Sequence, residues 1–261
     1  MQHRVSDSLI DDFGDSGSEH SGPAGLRADL NQNGIPDIVI RRLPIYARSL
    51  KYLAGEGVET VSSGELGMRL GVSAAQIRRD LSYFGEFGKQ GKGYNVAYLL
   101  EQVNGILQLD HDWPVALVGL GHLGRALLHY EGLSEHGFNI SALFDHNPEK
   151  VGQQIGDLTI YGMSDMPDVL SSLNIQMAIM AVPARGAQEA TDALVASGVS
   201  AILNYAPIIV QVPHNVKIRH IDPVVALQSM TYYIDDSAKG SRAGLVRNGN
   251  GSERVRSGKL D

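Results

Sequence analysis

Val115-Ala116-Leu117-Val118-Gly119-Leu120-Gly121-His122-Leu123-Gly124 is an apolar run that ends in three glycines at GxGxxG spacing. A short continuous apolar run closed by glycine suits a strand buried on both faces, as in a parallel sheet. In a dinucleotide-binding turn the first glycine permits the tight bend and the second lets backbone approach a pyrophosphate. The third lets the next helix pack on the strand. The helix predicted over 122–130 aims its first N–H groups at that phosphate, and Arg125 adds positive charge beside it.

A GxGxxG alone is a weak signal, and context strengthens this one. A second predicted strand, 140–144, ends at Asp145, which lies 21 positions after Gly124. That is near the spacing of the acid that meets the ribose in such folds. A carboxylate there accepts hydrogen bonds from ribose hydroxyls and repels a 2′-phosphate, so NAD(H) is expected over NADP(H). Lys150 is expected on the adenosine side. Ligands of open α/β sheets lie beyond the carboxyl ends of the strands. Two more apolar strands are predicted, 177–182 and 200–203. Their ends place Val182, Pro183, Asn204, Tyr205, Ala206 and Pro207 as expected nicotinamide contacts, beside the loop Gly119, Leu120, Gly121, His122, Leu123 and Gly124.

No hydride-transfer constellation assembles around this cradle. A dehydrogenase needs an acid/base, and usually a cation for its substrate, beside the nicotinamide. His214 and His220 flank Lys217 and Arg219 in a predicted loop and strand, and His122 lies inside the phosphate loop. The lack of a catalytic group favours a cofactor sensor over an enzyme.

Upstream, residues 35–95 read as three helices and a Gly-rich hairpin. From Arg41 to Lys92 there are nine Lys or Arg against five acids, net +4, in a chain whose net charge is −7. A locally basic module in an acidic chain directs attention to nucleic acid, since charge distribution matters more than the total. Ser62 and Glu65 have capping-box spacing and open a helix that ends near Leu70. Gly71-Val72 turns the chain, and Ser73 caps a second helix predicted over 74–84. Helix, short Gly-containing turn, helix is a helix-turn-helix signature. Ile77, Leu81 and Phe84 form the buried face of that second helix, which leaves Gln76, Arg78, Arg79 and Tyr83 largely outside. Arg can read guanine and Gln adenine in the major groove. The hairpin that follows carries Lys89 and Lys92, placed to meet phosphates or the minor groove. The candidate DNA contacts are therefore Ser73, Gln76, Arg78, Arg79, Tyr83, Lys89 and Lys92, with a solvated helix face as the plain alternative for the arginines.

Composition sets the outer bounds. At 261 residues, 43% of them hydrophobic, the chain is long enough for two domains with real cores. It has no cysteine, which excludes disulfides, thiolate nucleophiles and Cys-based metal sites. The histidines show no HxxxH or HExxH spacing, so no metal is expected. No apolar run nears the roughly 20 residues of a membrane span, and the N-terminus lacks a signal-peptide pattern. A cytoplasmic protein is expected. Residues 1–34 and 237–261 are rich in Ser, Gly and charge and are expected to be disordered tails. The expected domains are 35–95 for DNA and 96–220 for the nucleotide, the latter with a connecting helix. A final helix spans 221–236.

Taken together, several stretches resemble the Rex family of bacterial redox-sensing transcriptional repressors: Val61-Ser-Ser-Gly-Glu-Leu66, Ile77-Arg-Arg-Asp-Leu-Ser-Tyr-Phe-Gly85, Gly91-Lys-Gly-Tyr94, the phosphate loop, Phe144-Asp-His-Asn-Pro-Glu-Lys-Val-Gly152, Ile202-Leu-Asn-Tyr-Ala-Pro207 and His220-Ile-Asp222. The resemblance covers about 35–234. It implies an α/β chain in which a winged-helix domain precedes a Rossmann domain. It also implies a homodimer with the C-terminal helix swapped onto the partner, operator binding with NAD+ or no ligand, and release with NADH. It ties Tyr130 and Asp222 to the switch, and Arg48 is expected to pair with Asp222 in the DNA-bound state. Gln90 stands where members often carry a second basic wing residue. The operator is expected to be near-palindromic, with half-sites a whole number of turns apart. Two other readings stay open: an NAD-dependent oxidoreductase with an appended basic helical domain, and a nucleotide- or CoA-binding module that does not bind DNA.

Overall fold

Between Gln108 and Leu109 the chain divides into two units, each built on its own buried apolar cluster or clusters. The computed structural model describes residues 34–89 and 91–243, with the backbone alone for Lys89 and for 235–243. Gln90 and most of both predicted tails lie outside the described residues.

The first unit opens with α1 (Asp37–Gly55). Its apolar positions Val39, Leu43, Tyr46, Ala47, Leu50 and Leu53 recur at helical spacing and are buried. Strand β1 (Thr60–Val61) leads into α2 (Ser63–Leu70), where the predicted capping box is complete. Ser62 Oγ accepts from Glu65 N at 3.1 Å, and Glu65 Oε2 accepts from Ser62 N at 2.8 Å. Gly71 ends α2 in the left-handed region. Ser73 then caps α3 (Ala74–Ser82), two residues shorter than predicted. The hairpin β2 (Gly88–Lys89) and β3 (Gly93–Asn95) pairs with β1 in a three-stranded antiparallel sheet of order β1-β3-β2. β1 has only two residues, too short to leave a period in the sequence.

One assignment is corrected. The connecting helix, α4 (Val96–Ile106), expected in the nucleotide domain, lies in the first unit. Val96, Leu99 and Val103 lie on one helical stripe and are buried in the cluster of Leu43, Leu50 and Leu66. An apolar stripe of that kind needs a packing partner, and α1 supplies it.

The second unit holds β4 (Trp113–Val118), α5 (His122–Leu128), α6 (Glu131–Ser134), β5 (Phe138–Phe144), β6 (Gln154–Ile155), β7 (Leu158–Tyr161), α7 (Met166–Ser172), β8 (Met177–Met180), α8 (Ala184–Ala196), β9 (Ala201–Asn204), β10 (Lys217–His220) and α9 (Pro223–Ala243). The sheet order is β10-β9-β8-β4-β5-β7-β6. All pairs are parallel except β6 with β7. Without the β6 edge, this is the doubly wound order 3-2-1-4-5-6 of a Rossmann fold. Alternate residues of β4 serve opposite faces, Val115 and Leu117 in one cluster and Ala116 and Val118 in the other. That explains the unbroken apolar run.

Two helix ends also differ from expectation. α5 stops at Leu128, and Tyr130 starts α6 rather than ending α5. α9 runs to Ala243, so residues 237–243, expected in a disordered tail, are helical. The described side chains of α9, from Pro223 to Ile234, are all exposed. Among the described residues no helix is long and apolar enough to cross a membrane. Nor does any group of three or more His, Asp or Glu there fit a metal ion.

Candidate functional site

The cradle lies where the strand order reverses. β4 lies between β8 and β5, and its end is tied to both: Ala181 N, after β8, donates to Val118 O at 2.8 Å, and Gly119 N donates to Phe144 O of β5 at 2.8 Å. Gly119 has φ +93, and a Cβ there would stand 2.7 Å from Ala181 O. A Cβ on Gly124 would overlap Gly119 O. The turn is therefore sealed on its protein side. At Gly121 an added Cβ meets nothing within 4 Å, which leaves backbone open to a phosphate. Leu120 is buried, while His122 and Leu123 are exposed at the mouth.

Asp145 is 2% exposed and ties the loop to the second strand. Its Oδ2 accepts from Leu120 N at 2.8 Å and Lys150 Nζ at 2.7 Å, and its Oδ1 from Asn147 N at 2.9 Å. Burial by itself pushes this carboxyl up, but the Lys150, Asn147 and Leu120 donors outweigh it and hold it below the usual range. Lys150 Nζ also donates to Leu120 O at 3.2 Å, so it braces the loop. Val182 is half-buried, and the exposed Pro183 caps α8. Tyr205 N donates to Met180 O at 2.8 Å, which sets the turn after β9 beside the end of β8. Tyr205 is half-buried and Pro207 exposed.

The side chain of Asn204, expected to touch nicotinamide, is turned inward. It is wholly buried. Its Nδ2 donates to Ile208 O at 3.1 Å and lies 3.0 Å from His220 Nδ1, while Oδ1 accepts from Ala206 N at 2.8 Å. A buried amide must be satisfied within the protein, and here it shapes the turn, with the buried Ala206 beside it.

Arg79 on α3 and Tyr83 at its C-terminal cap are exposed. Arg78 is exposed too, but its Nη1 donates to Ser63 Oγ on α2 at 2.8 Å. Ser73 Oγ accepts from Gln76 N at 3.1 Å, so its hydroxyl is occupied as a cap. Lys92 is exposed beside the hairpin. The Lys89 side chain lies outside the description.

One buried charge escaped sequence reading. Asp80 is fully buried and binds α1 to α3. Arg42 Nε donates to its Oδ2 at 2.5 Å and Arg42 Nη2 to its Oδ1 at 2.8 Å. Tyr46 OH donates to Oδ2 at 2.6 Å, and Gln76 Nε2 to Oδ1 at 2.7 Å. Burial raises the pKa of this carboxyl, and the Arg42, Tyr46 and Gln76 donors overcome that and lower it. The only sequence signal is one acid on the otherwise basic or neutral 74–82 stretch, one residue before a core leucine.

The residues tied to the switch are accessible. Arg48 is exposed, and Tyr130 is 62% exposed. Asp222 Oδ1 accepts from Val224 N at 2.8 Å and Val225 N at 3.4 Å, as a cap for α9.

A basic helix-turn-helix unit ahead of a Rossmann unit defines a class: a transcription regulator with a built-in nucleotide cradle. Family comparison agrees. Residues 34–82 match the model described as "Putative DNA-binding protein N-terminus", and residues 110–208 match "CoA binding domain". The chain is 57% identical over 207 residues to the redox-sensing transcriptional repressor Rex of Roseiflexus sp. (strain RS-1), spanning 79% of this chain and 94% of that one. The Rex repressor of Chloroflexus aurantiacus is 60% identical over 199 residues, 76% and 94% of the two chains. Among solved structures, that of RSP in complex with beta-NAD+ and operator DNA is 35% identical with a TM-score of 0.73, covering 80% of this chain and 97% of that one. The RSP complex with beta-NADH is 33% identical with a TM-score of 0.71, covering 80% and 98%. The chain belongs to the Rex family of redox-sensing transcriptional repressors, and is a regulator rather than an enzyme.

Proposed function

We propose that this chain is a cytoplasmic, homodimeric repressor that holds a near-palindromic operator and releases it when NADH occupies the second unit. The single observation that carries this reading is the cradle itself. Gly119 and Gly124 seal the turn and Gly121 leaves backbone open. Asp145 stands ionised at the end of the second strand. Open backbone for a phosphate and an ionised carboxylate as acceptor together suit a dinucleotide with a free 2′-hydroxyl. The solved relative RSP has structures with beta-NAD+ and operator DNA and with beta-NADH, the two states such a switch requires. The nicotinamide is the group whose charge differs between the redox forms. The turns bearing Val182, Pro183, Tyr205, Ala206 and Pro207 are assigned to it, Ala206 and Asn204 shaping the second turn from within.

The proposed domains are 34–108 for DNA, with the hairpin as a wing, and 109–221 for NAD(H), with α9 as a dimer helix. Two unpartnered apolar surfaces support the dimer. On α9, Val224, Val225, Leu227, Met230, Tyr232, Tyr233 and Ile234 are all more than half exposed. On α1, Ile38, Ile45 and Tyr52 repeat every seven residues and are also more than half exposed, a spacing that suits a packed helix. Swapping α9 between copies would cover both and bring Asp222 of one copy toward Arg48 of the other. Double replacement Leu227→Asp and Tyr233→Asp is expected to give monomers in sedimentation equilibrium, and a persisting dimer would remove α9 from the interface.

The defining test is one titration. A near-palindromic operator duplex should stay bound as NAD+ is added and dissociate as NADH is added. By linkage the operator must weaken NADH binding by the same factor. No binding to any such duplex, or an equal response to both redox forms, overturns the proposal.

A further inference from the structure

The buried carboxylate of Asp80 is an odd thing to find behind a DNA-reading helix. Both of its oxygens carry two donors each: Arg42 Nη2 and Gln76 Nε2 on Oδ1, and Arg42 Nε and Tyr46 OH on Oδ2. No acceptor capacity is left for water or for a base. A buried ion pair is also a poor device for stability alone, since well-packed apolar residues in its place are often as stable or more so. What an apolar side chain cannot do is fix the orientation of a neighbouring amide.

Gln76 and Asp80 are four residues apart on α3, so they share one flank of the helix. Asp80 is held from behind by two side chains of α1, 34 and 38 positions upstream. It therefore acts as a fixed point, and the Gln76 amide is tied to it at 2.7 Å. That bond uses one of the two Nε2 hydrogens. The other hydrogen and Oε1 remain, one donor and one acceptor in a single plane. This is the complement that adenine presents in the major groove, an N7 acceptor beside an N6 donor.

We infer that Asp80 is a positioning residue for sequence readout, which holds the Gln76 amide in the orientation that reads one adenine of each half-site. The inference rests on the reading of the first unit as the DNA-binding unit. Arg42 neutralises the carboxylate, so Asp80 does this without repelling the phosphate backbone.

The test uses the full-length protein and a set of operator duplexes in which each base pair is replaced in turn. Wild type should discriminate at one pair per half-site through Gln76. Gln76→Ala and Asp80→Asn should each lose about tenfold of that discrimination at the same pair, the scale of one bidentate contact. The double variant should lose no more than either single one. Discrimination at the other pairs should stay as in wild type. A uniform loss on every duplex, or a loss at a different pair from Gln76→Ala, overturns the inference and leaves Asp80 a structural residue. Wild type that binds no duplex sinks the DNA reading itself, and is seen before any variant is made. Should Asp80→Asn fail to fold, the free wild-type protein still decides. The Gln76 side-chain amide protons should be dispersed and protected from exchange in NMR spectra, and averaged, solvent-like amide signals overturn the inference.

Discussion

Asp145 and Asp80 are the same side chain, almost equally buried, each paired with one Lys or Arg, with the His146 ring also 3.5 Å from Asp145 Oδ1, yet only one is legible in the sequence. Asp145 takes two of its donors from backbone, Leu120 N and Asn147 N, and its cation from Lys150, five residues on. Its role follows from local chain geometry: a strand, a glycine turn, a helix and a strand of fixed length. Asp80 takes three of its four donor bonds from α1 side chains, 34 and 38 residues upstream, whose approach depends on how three helices pack. A carboxylate that answers to backbone at fixed spacing can be read from sequence. One that answers to side chains across a helix interface cannot.

The same division runs through the rest of the fold. The β4 strand, the glycine turn, the capping box at Ser62 and the cap at Ser73 were legible because each is a local pattern with one physical cause. The position of α4 was not, because an apolar stripe says that a helix packs without saying on which unit. The inward turn of the Asn204 side chain is hidden from sequence for a related reason. The residue stands at the end of a strand, where ligands bind, but its burial turns the amide onto its own loop. The last two turns of α9 are not legible because 237–243, with Gly240 and two serines, offers no apolar period.

The largest expected effect breaks the cradle. Gly124→Val places a branched side chain where even a Cβ would overlap Gly119 O. Backbone cannot yield cheaply there, so the second unit should lose about 3 kcal/mol or more, with NADH binding abolished. Urea denaturation measures the loss, and near-wild-type stability would mean that the turn is not sealed as described. Next comes the matching break in the first unit. Asp80→Ala leaves the guanidinium of Arg42 and the hydroxyl of Tyr46 without their shared acceptor. Arg42 still reaches solvent, with 20% of its side chain exposed, so the loss should fall below the range for fully buried pairs, at about 2 kcal/mol. A loss under about 0.5 kcal/mol, the scale of an ordinary surface substitution, would show that the network is not holding α1 to α3.

A smaller change separates binding from folding within the cradle. Gly121 has extended backbone, φ −76 and ψ −164, and open space at its Cβ position, so Gly121→Ala should fold as well as wild type. On the proposed reading, the added methyl would occupy the approach of the pyrophosphate. NADH affinity should fall about tenfold, or 1.4 kcal/mol, with the melting temperature unchanged within about 2 °C. Calorimetric titration and a thermal melt read the two halves. Unchanged affinity would show that the phosphate does not lie over Gly121.

The smallest effect is a slope, and it compares the two aspartates directly. Both carboxyls are held below the ordinary value of 3.8 in the folded protein, because their hydrogen-bond donors overcome the upward push of burial. A depressed folded pKa means that the folded state prefers the ionised form. The stability each contributes is therefore complete above the ordinary carboxyl value. It is lost as pH falls through the lower folded one, so the acid limb of unfolding should begin below about pH 4. Asp80→Asn and Asp145→Asn each remove one titrating group, and each should flatten that limb relative to neutral pH. Salt should distinguish them. Lys150 has 27% of its side chain exposed against 20% for Arg42, and Arg42 grips its partner with two hydrogen bonds rather than one. Screening acts on the more accessible pair, so raising ionic strength should shrink the Asp145 share of the slope more than the Asp80 share. Identical acid limbs in wild type and both variants would deny that either carboxylate is ionised by its donors, and the likeness drawn between the two sites would fail with them.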